Sequence, residues 1–170
     1  SPDTPVDFDG DELDFLAGHK GMPREQVSRM LENVTGIAAD AGLEYRFDML
    51  QHTNTVKAHE LLHFAKERDR QHEMAERLMS AYFTEGRHVG RVDDLVALAA
   101  EVGLDADAAR DALESHRYLS DVRADQAQAQ AYGIQGVPFF VIDGRYGVSG
   151  AQPPEAFAQI ARQVWSEKQA

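Results

Sequence analysis

One stretch near the C-terminus constrains the fold of this 170-residue chain more than any other, the segment from residue 134 to residue 153. It starts with Gly136-Val137-Pro138 and continues as an apolar run. Asp143-Gly144 then separates two strand-like runs, which is a strong hairpin signal because both central residues of a type I′ turn need positive φ. Proline lacks the N–H that a sheet ladder uses, so Pro138 belongs at the first residue of a strand or at an edge. The segment predicts strand, tight turn and strand, followed by a helix that begins at Pro153-Pro154.

Apolar residues at helical spacing fill most of the chain before that hairpin. Pro23 suits a first helical position and Gly42 a stop, so a helix is expected between them. Asn54 is a suitable cap for the helix that follows it. The other predicted helices cover residues 11–17, 55–68, 73–84, 92–101, 106–114, 120–132 and 154–167. About eight helices and two strands give a mostly helical α+β fold class.

Two strands alone make a poor core, because an isolated hairpin is only marginally stable in water. The apolar run of residues 139–142 therefore needs a further partner. Three partners remain open at this point. They are a segment outside this sequence, a second copy of the chain in a homodimer, or the chain's own helices.

Composition excludes several classes of function. A formal charge of −12 argues against nucleic acid or an anionic membrane surface as a partner. No apolar run reaches membrane-spanning length, and no signal peptide precedes the first helix, so a cytoplasmic location is expected. A chain that starts at Ser1 would, however, have lost any signal that came before it. The absence of cysteine excludes disulfides, thiolate metal sites and thiol catalysis by these residues.

A second motif, His59-Glu60-Leu61-Leu62-His63, satisfies the H-E-x-x-H signature of zinc metallopeptidases. Two histidines four residues apart share a helix face and can bind zinc while the glutamate polarises a water. Glu76 and Glu85 are candidate third ligands by sequence distance only. Because the motif lacks a convincing third ligand, we expect no bound metal. His59 and His63 are then expected on the helix surface, with Glu60 in solvent.

Several longer segments carry a resemblance to a known family. They are NTVKAHELLHFAKE (residues 54–67), AYFTEG (81–86), LVALAAEVGLD (95–105) and GVSGAQP (147–153). Together with the hairpin they resemble DsbA-like, thioredoxin-fold disulfide oxidoreductases of the FrnE type. In that family the bond matching Val137-Pro138 is cis and faces a Cys-x-x-Cys dithiol. This chain resembles a family member without the N-terminal strand–helix–strand unit that carries the dithiol.

The resemblance implies a division of the chain. Residues 1–22 would be an extended lead-in segment with a short helix, residues 23–132 a helical insertion, and residues 133–170 the C-terminal β-β-α half of a thioredoxin-like domain. Gly136, Val137 and Pro138 would bind the backbone of an extended peptide, a protein thiol substrate or glutathione. No catalytic residue and no cofactor is expected in this chain, which is predicted to be inactive alone.

Two other functions remain open. The 2-hydroxychromene-2-carboxylate isomerases and kappa-class glutathione transferases share this architecture but bind glutathione. Their active nucleophile is a serine, and the matching residue would precede Ser1. A non-catalytic peptide-binding module is the third alternative.

Overall fold

The structure is a computed structural model that describes residues 4–169, apart from the side chain of Lys20. It divides into two compact units, the first ending at Arg123 and the second beginning at Ala124. The mostly helical α+β class predicted from the sequence is confirmed. The division expected at residues 22 and 132 stays a prediction. The elements are α1 Glu12–Lys20, α2 Arg24–Asp40, α3 Val56–Lys66, α4 Gln71–Phe83, α5 Val92–Glu101, α6 Ala106–Glu114, α7 Leu119–Ala131, β1 Phe139–Ile142, β2 Tyr146–Ser149 and α8 Pro154–Gln169.

The core of the first unit is built from α3, α4, α5 and α6. Each contributes a stripe of apolar residues at helical spacing, as the sequence pattern predicts. Burial of such side chains contributes roughly 1.5–3 kcal/mol each relative to exposure, so this cluster supplies most of the unit's stability. The largest fully buried side chains are Phe64, Leu61, Met74, Leu95, Leu98 and Leu113.

The segment before α1 is held against the first unit by hydrogen bonds to residues distant in sequence. The Thr4 carbonyl accepts from Asn54 Nδ2 at 2.9 Å, and the Pro5 carbonyl accepts from the Asn54 N–H at 3.1 Å. The Val6 carbonyl accepts from Thr53 Oγ1 at 2.6 Å. Asn54 also accepts the Val56 N–H at 2.9 Å through its side chain, but the N-cap of α3 is Thr55, so the prediction of Asn54 as the cap is wrong by one residue.

Helix α2 packs on α1 and leaves part of its apolar face open. Val27 and Ala38 are buried, whereas Met30 and Ile37 are exposed although they belong to the same apolar pattern. The pattern alone does not reveal how much of an apolar stripe a neighbour covers. Among residues 4–169, no helix has the length and apolar character needed to cross a membrane.

The second unit contains the hairpin and α8. Asp143 and Gly144 have φ of 55° and 65°, and the Arg145 N–H donates to the Ile142 carbonyl at 3.2 Å. The hairpin predicted from Asp-Gly is therefore confirmed, with Ile142 opposite Tyr146 in an antiparallel register. In α8 Val164 is buried, Phe157 and Ile160 are half-buried, and Ala161, expected inside, is exposed.

Candidate functional site

The loop Gly136-Val137-Pro138 lies immediately before β1 in the second unit. Val137 is 91% exposed, the highest value among the large exposed apolar residues described. The Val137-Pro138 peptide bond is cis. The Pro138 carbonyl accepts the Gly150 N–H at 2.9 Å, which ties the end of the loop to the end of β2. The loop is thus anchored on one side and open on the other.

The backbone of Val137 has unused hydrogen-bonding capacity. Within residues 4–169, neither its N–H nor its carbonyl has a hydrogen-bond partner. An exposed backbone donor and acceptor next to a strand end can pair with an extended peptide, as in strand addition. The loop therefore presents an unpaired main-chain donor and acceptor and not a reactive side chain.

Apolar surface continues from the loop along β1. Phe140 packs edge-on against Phe157 of α8, with ring centroids 4.8 Å apart, yet it remains 42% exposed. Val141 is also exposed. Phe139 lies over Gly147, where an added Cβ would come within 2.8 Å of the phenyl ring. Exposed apolar side chains therefore follow the Val137 loop along β1.

Charged groups of the hairpin lie at its turn and not at the loop. Lys168 pairs with Asp143 at 2.5 Å, and the Tyr146 hydroxyl donates to Glu167. That hydrogen bond raises the pKa of Tyr146 and lowers the pKa of the Glu167 carboxyl. β1 separates this turn from Pro138, and Gly136, Val137 and Pro138 themselves carry no charged side chain.

The H-E-x-x-H motif places its glutamate, and not its histidines, on the buried face of α3. Glu60 is fully buried on α3, so the expectation that it lies in solvent is wrong. Its Oε1 lies 3.1 Å from Nδ1 of His116, while Oε2 has no partner among the described residues. His59 is exposed as expected, and His63 is half-buried.

The candidate third ligands of that motif belong elsewhere. Glu85 forms an ion pair with Arg77 through both carboxylate oxygens, and Arg77 Nη1 lies 2.8 Å from Glu85 Oε1. Glu76 lies in an exposed position on α4. In the part of the chain that the structure describes, no three His, Asp or Glu side chains are arranged to hold a metal ion.

A buried histidine is the feature that sequence reasoning missed. His88 accepts the Gly90 and Arg91 N–H groups at Nδ1, at 3.1 and 3.2 Å, so Nε2 carries the proton and donates to the Val6 carbonyl at 3.1 Å. Burial lowers the pKa of His88, and the nearby Arg91 guanidinium adds to this effect. The sequence around His88 has no motif that marks it, and Val6 is too distant to be paired with it by pattern.

Comparisons with known proteins identify the family to which this chain belongs. The family model described as a DSBA-like thioredoxin domain matches residues 4–161, so the chain belongs to that family. A similar solved structure is the crystal structure of a probable DsbA oxidoreductase from Streptomyces coelicolor. Its sequence is 40% identical to this chain and the two structures superpose with a TM-score of 0.88. The match covers 98% of this chain and 72% of that one.

A curated relative is the uncharacterized protein YwbO of Bacillus subtilis. It is 37% identical over 129 residues, which make up 74% of this chain and 63% of that protein. This chain therefore spans less than two thirds of the length of that relative. The sequence itself contains no cysteine, so no Cys-x-x-Cys motif occurs in it.

Proposed function

We propose that this chain is the substrate-side portion of a DsbA-like protein thiol–disulfide oxidoreductase of the FrnE type that acts in the cytoplasm. Its role is to bind the substrate backbone at Gly136, Val137 and Pro138. The observation that carries the proposal is the exposed Val137 backbone, whose N–H and carbonyl have no partner within residues 4–169. In a member of this family, such a position suits an extended thiol substrate.

The chemistry belongs to a dithiol that is not among these 170 residues. In thiol–disulfide exchange a thiolate attacks one sulfur of a disulfide, and the other sulfur leaves as a thiolate. One S–S bond forms as another breaks, so no further oxidant is needed for the exchange itself. The loop contributes by holding the substrate sulfur in reach of its partner, which lowers the entropic cost of the reaction.

The same position also accommodates the backbone of glutathione, the tripeptide thiol. An extended peptide is favoured because the exposed Phe140 and Val141 side chains follow the loop along β1. These give a longer substrate apolar contacts that a tripeptide cannot make in full. The kappa-type and isomerase alternatives predict the opposite preference.

Nuclear magnetic resonance titration of the ¹⁵N-labelled chain tests the binding role. The probes are an extended apolar peptide with serine in place of the reactive cysteine, and S-methylglutathione. We expect the peptide to shift the amide signals of Gly136, Val137 and Phe139 and to bind more tightly than the tripeptide. Tighter binding of S-methylglutathione would favour the glutathione-dependent alternative, and no shift at these amides with either probe would refute the binding role.

Two variants separate the backbone from the side chain. Val137→Pro removes the N–H donor, and Val137→Ala keeps it while removing most of the side chain. Because one main-chain hydrogen bond contributes about 1 kcal/mol, we expect Val137→Pro to weaken peptide binding about fivefold. Val137→Ala should change it by no more than about twofold. Equal losses in both variants would mean that the side chain and not the backbone is recognised.

A further inference from the structure

Two adjoining cavities open on the first unit, and neither belongs to the Val137 loop. One has a volume of about 420 Å³ and is lined by Leu43, Met79 and Phe83. The other, of about 490 Å³, is lined by Leu31 and Phe47. Both are also lined by Tyr45, so we refer to these six residues as the Tyr45 groove.

The floor of the Tyr45 groove is a stack of aromatic rings. Tyr45 stacks on Phe83, with centroids 4.8 Å apart and ring planes 18° apart, and meets Phe47 edge-on at 5.7 Å. Leu43 and Met79 stand at the side, with 54% and 60% of their surface exposed. Rigid rings beside a flexible methionine form a surface that adapts to large apolar side chains.

The rim of the Tyr45 groove is acidic. The charged residues that line the two cavities are Glu32, Glu44, Asp48 and Glu76, and no lysine, arginine or histidine of the described chain lines either cavity. Arg46 lies beside two of these carboxylates, because it bonds Asp48 through two nitrogens and lies 3.9 Å from Glu44. Glu76 has no ion-pair partner among residues 4–169.

The geometry points to a basic amphipathic segment of a partner protein as the occupant of the Tyr45 groove. Its large apolar side chains would enter the two cavities on either side of Tyr45. Its lysines or arginines would meet the acidic rim, where opposite charges steer association and exclude other partners. A second copy of this chain fits poorly, because a formal charge of −12 per copy would bring like charges together. This inference concerns the first unit and does not depend on the proposed function.

Binding of a short fluorescein-labelled peptide tests the inference by fluorescence anisotropy. The probe has leucine and phenylalanine on one helical face and lysine on the other, and the matched probe has glutamate in place of every lysine. We expect the lysine peptide to bind, the glutamate peptide not to bind, and affinity to fall when sodium chloride rises from about 0.02 to 0.5 M. Equal affinity for both peptides, or binding of neither, would overturn the proposal.

Variants locate the binding surface. The double variant Leu43→Ser, Met79→Ser should weaken binding of the lysine peptide about tenfold, while Trp165→Ser, which removes an equally exposed apolar side chain (67%) from the other unit, should not. Glu76→Lys should weaken binding about threefold, and Asp107→Lys, the same change of charge at an exposed position on α6, should have no effect. Equal effects of a groove variant and its control would refute the location. A dimer in sedimentation equilibrium that Leu43→Ser, Met79→Ser abolishes would replace the basic partner by a second copy.

Discussion

Glu60 and His116 are joined across the first unit, because Oε1 of the buried carboxylate lies 3.1 Å from Nδ1 of the imidazole. His116 has φ of 52°, a left-handed conformation in which glycine is the usual residue. Among the described residues, the imidazole is the hydrogen-bond partner of Glu60, whose Oε2 has none. His116 follows Ser115, the C-cap of α6, and from this left-handed position its side chain contacts a carboxyl group 56 residues earlier.

Removal of this contact should destabilise the protein. His116→Ala keeps the left-handed strain and leaves the Glu60 carboxylate buried without its partner. Hydrogen bonds to charged groups contribute about 1.5–3 kcal/mol, and the half-exposed imidazole places this one near the lower end. We expect the free energy of unfolding to fall by about 1.5 kcal/mol in urea titrations. His116→Gly should lose less, because glycine relieves the strain.

A double-mutant cycle separates the contact from other effects at His116. In a Glu60→Met background the core position is apolar, so no carboxylate is left unpartnered. There, His116→Ala should cost less than about 0.5 kcal/mol. An equal cost in both backgrounds would show that His116 stabilises the turn without Glu60.

The stability of the first unit should depend on pH through His88. The pKa of His88 is lowered from its ordinary 6.5 by burial, and Nδ1 already faces two N–H donors, so the folded protein resists protonation. Asp7 and Asp94 oppose this effect, while Arg91 reinforces it. As the pH falls, His88 takes up a proton in the unfolded chain before it does so in the folded protein. The stability that depends on neutral His88 is therefore fully present above pH 6.5 and is lost as the pH falls below that value.

The measurement is the urea midpoint at pH 7.5 and pH 5.5 for the wild type and His88→Gln. The amide does not titrate, so the difference between the two proteins isolates His88 from the other six histidines. We expect the wild type to lose more stability than the variant on acidification. Parallel losses in the two proteins would contradict the assignment.

Gly90 should tolerate no side chain. A Cβ at this position would lie 2.2 Å from Thr53 Oγ1, which donates to the Val6 carbonyl and so holds the segment before α1, and 2.8 Å from the Asn54 carbonyl oxygen. Gly90→Ala should therefore lower the free energy of unfolding by about 2–3 kcal/mol in urea titrations. Gly36→Ala is the control, because its Cβ would meet nothing within 4 Å in α2 and should stabilise the helix by about 0.5–1 kcal/mol. Similar losses in both variants would contradict the packing at Gly90.

Zinc should not accompany the purified protein. Glu60 is buried and bonded to His116, so it cannot polarise a metal-bound water between His59 and His63. Elemental analysis after dialysis against a chelator-free buffer should give far less than one zinc per chain. One equivalent of zinc that is lost in His59→Ala would contradict this account.

Local signals in the sequence predicted the elements well. The Asp143-Gly144 turn and its register follow from backbone preferences of two adjacent residues, and the predicted helices at 92–101 and 106–114 match α5 and α6. α8 begins at Pro154 as predicted, and the other ends differ by a few residues, because helix ends depend on caps and neighbours. The binding role of the Val137 loop, which follows from Gly-Val-Pro and the family resemblance, stays a prediction.

Contacts between distant residues could not be predicted in the same way. Glu60 looks like a surface residue in its own helix, and only the approach of His116 makes its burial tolerable. His88 likewise depends on the carbonyl of Val6, 82 residues earlier. No periodic pattern links such pairs, so one sequence alone does not indicate them.

The most direct test of the central claim uses the gene product isolated from its natural host. Its thiols are counted by alkylation after reduction, and its catalysis of insulin disulfide reduction is compared with that of the 170-residue chain. The account predicts at least two thiols and measurable exchange, which Val137→Pro lowers more than Val137→Ala does, and no exchange by the cysteine-free chain. A natural product without thiols, or one whose exchange rate is the same in both variants, would contradict it.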